Sequence, residues 1–265
     1  MSKIELKHIT FAYESGNEIH TALNDVSLSI KEGEFVCIIG SSGCGKSTLL
    51  SLVAGLHKAT EGSALIDGEP IQGPGRDRCV VFQHYSLFSW MNAQKNIVFG
   101  MEQTKRWDAK EMSRRASDYL KRVGLADYAN KFPNQLSGGM RQRVAIARAL
   151  AADPDILLMD EPFGAIDTKN RMDLQELLLN LCSKEEKRKT VIFVTHDIDE
   201  AILLSDRIVF MEPKRIKEEI AIPFGKVRSR KEIVSSDEYT ALRRHLVSLF
   251  YAELTDQVGG AEVVL

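Results

Sequence analysis

The chain has 265 residues, 27% of them charged and 44% hydrophobic, with a formal net charge of −2. That length admits one large domain or two small ones, and the near-balanced charge lacks the basic field a nucleic-acid partner would call for. No run approaches the ~20 apolar residues of a membrane-spanning helix, and the opening stretch MSKIELKHITFAY alternates like a strand rather than forming an apolar signal core. Cys37, Cys44, Cys79 and Cys182 are too widely spaced for a disulfide framework, which points to a reducing, cytoplasmic setting.

In chain order, the first segment predicts strands at Ile4–Leu6, Ile9–Phe11 and Val26–Ile30, with a polar turn over Glu14–Asn17 and Tyr13 closing the first strand region. Phe35–Ile39 is a short apolar run of the kind a buried parallel strand needs. It leads into Gly40–Thr48, GSSGCGKST, which fits G-x-x-x-x-G-K-[ST], a loop that cradles nucleotide phosphates. Gly40, Gly43 and Gly45 permit backbone angles at which successive N–H groups point at anionic oxygens. Lys46–Gly55 predicts a helix whose positive dipole end meets the phosphates. Lys46 would reach the β- and γ-phosphates, and Ser47 would offer its hydroxyl to Mg²⁺.

Asp67-Gly68 punctuates a hairpin around Ala64–Ile66, Gly73-Pro74-Gly75 breaks the chain, and Cys79–Phe82 predicts a strand ending at Gln83. From about residue 87 to 152 the pattern turns helical, with Asp108–Val123 closed by Gly124 and a second helix capped by Ser137. This block reads as an insertion in an α/β core. The core resumes with a strand at Ile156–Met159 and a helix over Thr168–Ser183, with Met172, Leu174, Leu177, Leu178 and Leu181 expected to face inward. The charge run Lys184–Lys189 is expected to be solvated. Val191–Val194 and Ile208–Met211 predict strands on either side of a helix at Ile198–Leu204. From Pro223 to Arg230 the chain reads as irregular and basic. An amphipathic helix then starts at Ser236, its apolar face of Tyr239, Leu242, Leu246, Leu249 and Phe250 packed on the parent domain. Alternating strands and helices imply a mainly parallel sheet covered on both faces. The division expected is an α/β domain over 1–225, with the helical part at about 87–152, and a tail over 226–265.

Several residues carry chemistry. Asp160 and Glu161 follow the strand Ile156–Met159, at the edge where open α/β sheets gather their ligands. Asp160 could hold Mg²⁺ and Glu161 could polarise a water aimed at a γ-phosphate. His196, in Thr195-His196-Asp197, ends another strand and could orient that water and its base. Gln83 offers an uncharged amide to metal or water. Leu136-Ser137-Gly138-Gly139-Met140 places two glycines and a serine at a helix start, a second anion-binding N-terminus. One phosphate group does not need two such ends from one small domain, so a second chain supplying one of them resolves the excess.

With these motifs in this order the chain resembles the ATP-binding subunit of an ABC transporter, over nearly all of residues 3–225. GSSGCGKST matches the Walker A loop, Gln83 the Q-loop, LSGGM the signature, ILLMDEP the Walker B strand, Gly164–Asp167 the D-loop and His196 the switch histidine. The resemblance implies a P-loop NTPase core with N-terminal antiparallel strands and an inserted helical subdomain. It implies ATP and Mg²⁺ held by Gly40, Ser41, Ser42, Gly43, Cys44, Gly45, Lys46, Ser47 and Thr48, with Tyr13 stacked on adenine, and with Ser47, Gln83 and Asp160 on the metal. Ser137, Gly138, Gly139 and Asp167 would complete the site of a second copy in a head-to-tail dimer. Gly73–Arg78, VVFQ, MDEPFGA and VTHDIDEA look more narrowly like the nitrate/sulfonate/taurine importer ATPases, with Met140, Ile166 and Ser89 as departures from the wider or narrower pattern. The implied partners are integral membrane permease subunits and, indirectly, a solute-binding protein, with the chain peripheral on the cytoplasmic face of the inner membrane.

Overall fold

The computed structural model describes residues 2–16, 18–83, 86–164, 166, 168–183, 188–225 and 228–259. Two long strands, β1 (Ser2–Ser15) and β2 (Glu18–Lys31), form an antiparallel hairpin. Then come β3 (Phe35–Gly40), α1 (Lys46–Ala54), β4 (Glu61–Ile66), β5 (Glu69–Pro70) and β6 (Arg78–Val81). The β4–β5 turn puts Asp67 at φ 51° and Gly68 at φ 81°, the left-handed pair a tight hairpin requires. A helical block follows: α2 (Ala93–Glu102), α3 (Ala109–Arg122) and α4 (Gly138–Ala151). Each starts on a side-chain cap, with Asn92, Asp108 and Ser137 accepting from the N–H of Lys95, Glu111 and Met140. The chain ends with β7 (Ile156–Asp160), α5 (Thr168–Ser183), β8 (Thr190–Val194), α6 (Ile198–Leu204), β9 (Arg207–Glu212), β10 (Arg215–Ala221), α7 (Arg230–Val234) and α8 (Asp237–Gly259).

The strands make two sheets. One is four-stranded, β2-β1-β4-β5, and antiparallel; the other is six-stranded, β10-β9-β3-β8-β7-β6, and parallel apart from β10. Strands β3, β7 and β8 are buried on both faces, which is why their sequences are unbroken apolar runs. Alternation still sorts them. Val36, Ile38, Leu158, Ile192 and Val194 face the smaller sheet and α1, whereas Cys37, Ile39, Leu157, Met159 and Phe193 face the helical side. The four cysteines are free thiols, three of them buried.

Three local expectations need correction. Met172 is 43% exposed, because residues 174, 178 and 181 define one buried stripe of α5 and position 172 lies about 200° around the helix from 174. Lys189 is buried rather than solvated: its ammonium meets the Asp153 carboxylate, and Arg188 reaches Asp206 at 2.9 Å. Residues 184–187 of that charge run lie outside the described residues. Finally, the sequence reading left out two elements: the edge strand β10, and α7, which starts at Arg230 where the irregular stretch was expected to end and whose Ser229 hydroxyl accepts from Glu232 N–H. Helix α8 does pack as expected, with Tyr239 and Leu246 buried in the helical-side core.

Candidate nucleotide site

Parallel strands deliver their carboxyl ends to one edge of a sheet. Here that edge collects the loop after β3, Asp160 at the end of β7 with Glu161 just beyond it, Thr195 and His196 after β8, and Gln83 two residues beyond β6.

The Gly40–Thr48 loop is shaped by its glycines. A Cβ at Gly40, where φ is 154°, would lie 2.2 Å from the Met211 carbonyl oxygen; one at Gly45, φ 113°, would lie 2.7 Å from that of Ala22. Only glycine fits either position. Lys46 is buried and donates to the carbonyls of Gly40 at 2.9 Å and Ser41 at 2.7 Å. Cys44 is 1% exposed beneath the loop, and burial raises its thiol pKa despite the nearby Lys46. It is a packing residue, not a nucleophile. Ser47 Oγ donates to Asp160 Oδ1 at 3.0 Å. Burial pushes the Asp160 carboxyl above the usual range, against the pull of that hydrogen bond. Ser47 and Asp160 therefore form a pair of hard oxygen donors.

Tyr13 lies on the flank of this loop. Its hydroxyl is 3.2 Å from Thr48 Oγ1, and its ring stands edge-on to Phe11 and His57 at centroid distances of 4.9 and 5.6 Å. The residue stays 40% exposed.

Glu161 adopts φ 42°, a left-handed backbone unusual for a non-glycine residue and costly unless its surroundings enforce it. They do: its N–H donates to Val194 O at 3.0 Å and its carbonyl accepts from Gly164 N–H at 3.1 Å. The turn aims Oε2 at His196 Nδ1, 3.3 Å away, and at Gln83 Nε2, 3.4 Å away. Two of the sequence-predicted residues, Gln83 and His196, thus converge on a carboxylate oxygen of a third, Glu161.

Behind His196 lies a buried polar network that sequence reasoning missed. Thr195 Oγ1 donates to Glu200 Oε2 at 2.6 Å and accepts from Asp197 N–H at 3.0 Å. Gln175 donates to the other Glu200 oxygen at 3.1 Å, and Arg171 holds Asp197 at 3.1 Å. Burial raises the Glu200 pKa, with the Thr195 hydrogen bond opposing. The available signal was a second acidic residue, next to Asp199, in the first turn of a helix whose other residues are apolar.

The Ser137–Gly139 turn is elsewhere. Ser137 is exposed at the N-terminus of α4, whose C-terminal end joins β7; its 14 residues span about 21 Å. Among the described residues no hydrogen bond or ion pair links Ser137, Gly138 or Gly139 to the Gly40–Thr48 loop. Asp167, the remaining candidate, lies outside the described residues.

The donors fit a magnesium nucleotide. Mg²⁺ prefers one or two protein oxygens, completed by phosphate and water, and Ser47 with Asp160 supplies that set. The glycine-built loop leading into α1 suits phosphate.

Comparison with known proteins agrees. The ABC transporter family model matches residues 23–164, more than half of the chain. The chain belongs to the ABC transporter family. It is 48% identical over 236 residues to the nitrate import ATP-binding protein of Synechococcus elongatus, covering 88% of this chain and 85% of that protein. It is 42% identical to a bicarbonate transport ATP-binding protein of Synechocystis, over 94% and 89% of the two chains. Among solved structures, a dimeric ATP-binding cassette in a post-hydrolysis state with ADP and Pi superposes with a TM-score of 0.75 at 40% identity, over 84% of this chain and all of that one. The P-loop α/β fold expected from the motifs is the fold found. No helix among the described residues is long and apolar enough to cross a membrane.

Proposed function

We propose that the chain is the ATP-binding and hydrolysing subunit of an importer for nitrate, sulfonate, taurine, bicarbonate or a related small solute. The observation that carries the reading is the convergence of Gln83 and His196 on the Glu161 carboxylate beside the glycine loop. Family membership and the nitrate and bicarbonate relatives support the importer class.

Phosphoryl transfer asks mainly for positioning and charge stabilisation. The N–H groups from Gly40 to Thr48 and the Lys46 ammonium would hold the triphosphate, and Tyr13 would stack on the base. Ser47 and Asp160, with Gln83 alongside, would hold Mg²⁺, which when bound neutralises charge on the β- and γ-phosphate oxygens. Glu161 Oε2 would accept a proton from the attacking water, and His196 would fix that water and the carboxylate in line. Ser137, Gly138, Gly139 and Asp167 of a second copy would close over the nucleotide in a head-to-tail dimer. The exposed amino end of α4 and the dimeric neighbour support that step.

Closure and reopening would pass through Gln83 and the helical block to an integral membrane permease, which in turn meets a solute-binding protein. Trp90, 70% exposed and packed on Phe88, supports a docking face there. The subunit would sit peripherally on the cytoplasmic face of the membrane. Residues 1–225 form the proposed ATPase unit, with the arm at about 87–152, and 226–265 an appended tail.

Glu161→Gln tests the reading: turnover should drop roughly 10²–10⁴-fold while ATP still binds. Near-normal hydrolysis in that variant would remove Glu161 from the mechanism.

A further inference from the structure

Helix α8 runs from the first turn of α6 to the phosphate loop. Its first turns are anchored to the body: the Tyr239 hydroxyl and Arg243 Nε both donate to Asp199 Oδ1, at 2.8 and 3.0 Å, and His245 lies 3.0 Å from Glu218. Leu246 is fully buried, and Phe250 meets Phe210 edge-on at 5.0 Å. One turn further, the Glu253 carboxylate, 7% exposed, accepts a hydrogen bond from Ser41 Oγ of the phosphate loop. The Lys46 ammonium donates to the carbonyl of that same Ser41.

Open recesses flank the end of α8. On one flank, Val247, Phe250 and Tyr251 face His196 and Ile198 across a recess of about 280 Å³. On the other, Leu249, Ala252 and Glu253 overhang Phe210 and Glu212 across a recess of about 310 Å³. Beyond Phe250 the helix end is flanked by open recesses and can lift without unfolding the domain.

From these placements we infer that α8 is a latch on the nucleotide site and that Glu253 is its catch. The carboxylate adds a negative charge to the loop that must receive an anionic triphosphate. The last turns of α8 also lie over the edge where, on the function proposed above, a second copy would close. The latched and nucleotide-closed arrangements therefore compete, and ATP binding has to release α8. The inference rests on that functional reading for the role of the edge, and on the α8 contacts for the latch.

The test uses the full-length chain and Mg-ATP. Glu253→Ala and the charge-only Glu253→Gln should leave the fold intact, and the alanine variant should tighten ATP binding and raise basal turnover by roughly 5-fold or more, in the usual range for coupled sites. If Glu253→Ala proves unstable, Glu253→Gln carries the same measurement, since it removes the charge. In a Glu161→Gln background, Mg-ATP should speed hydrogen exchange over residues 247–259, which a merely structural helix would not show. Unchanged or weaker ATP binding in the folded variants, or an α8 that stays equally protected with ATP, overturns the latch. Glu161→Gln separates the two ideas. Hydrolysis lost in that variant with no response to Glu253 removes only the latch, whereas hydrolysis retained removes the functional reading itself.

Discussion

The carboxyl edge of the parallel sheet and the amino end of α4 each present glycines, a serine and a helix start, yet they sit in opposite surroundings. At the sheet edge, Lys46 is buried, Ser47 and Asp160 are hydrogen-bonded, and Glu161 is forced into a left-handed backbone that aims it at His196 and Gln83. At α4, Ser137 is exposed and its hydroxyl serves its own helix by accepting from Met140. The first region is built from contacts within one chain. The second is presented outward. Strain and burial mark the sheet edge as a site built within one copy, while the exposed turn is the part that, on the function proposed above, a second copy would need.

The largest effect that can break this contrast comes from complementation. Lys46→Ala damages only the assembled edge, and Ser137→Arg only the outward turn. Each variant alone should lose ATPase turnover by roughly 10²-fold or more if one site needs both regions. In a head-to-tail pair of one copy of each, one site combines both lesions and the other combines two intact halves. A mixture should therefore regain turnover above either parent. A fully active Ser137→Arg, or no recovery on mixing, would mean that the two regions do not belong to one site.

A smaller effect concerns how tightly the assembled edge is built. Gly40→Ala should cost about 3 kcal/mol or more in thermal or denaturant unfolding, because its Cβ would strike the Met211 carbonyl. Gly43→Ala should cost only about 1 kcal/mol: its φ is 82°, but no atom lies within 4 Å of the added carbon. Equal losses at the two positions would show that the loop is not packed against β9 as described.

The same contrast explains what the sequence made legible. GSSGCGKST can be read because each position is dictated locally: Gly40 and Gly45 by carbonyls pressed against them, Lys46 and Ser47 by their chemistry. The strands β3, β7 and β8 can be read because double-sided burial leaves an unbroken apolar run. Strand β10 escapes because it is an edge whose outward positions are charged or small, Arg215, Lys217, Glu219 and Ala221, so neither apolar content nor a clean boundary marks it. Thr195, Glu200 and Gln175 escape for another reason: their meaning is a contact among β8, α6 and α5, which no single stretch encodes. Glu253 and Ser41 are the extreme case, more than two hundred residues apart in sequence. Periodicity placed Tyr239 and Leu246 on a buried face of α8, but it gave no hint of where the far end of that helix would come to rest.

The smallest effect tests the buried network that holds the assembled edge in place. Glu200 fixes Thr195, next to His196, so Glu200→Gln puts an amide group opposite the Gln175 amide that now donates to the carboxylate. Turnover should fall roughly 10-fold with ATP affinity retained, the result of a displaced rather than a missing group. A pH readout separates this positioning from simple structural damage. Burial raises the native Glu200 pKa above its unfolded value, so the folded state binds its proton more tightly than the unfolded chain does. The stability this contributes is fully present below the ordinary carboxylate pKa of about 4.3 and is lost as pH rises through the raised native value. The unfolding free energy of the wild type, measured relative to Glu200→Gln, should therefore decline as pH rises across that window. A difference that stays flat with pH, together with unchanged turnover, would detach Glu200 from the Thr195–Asp197 turn and leave His196 positioned by its own strand alone.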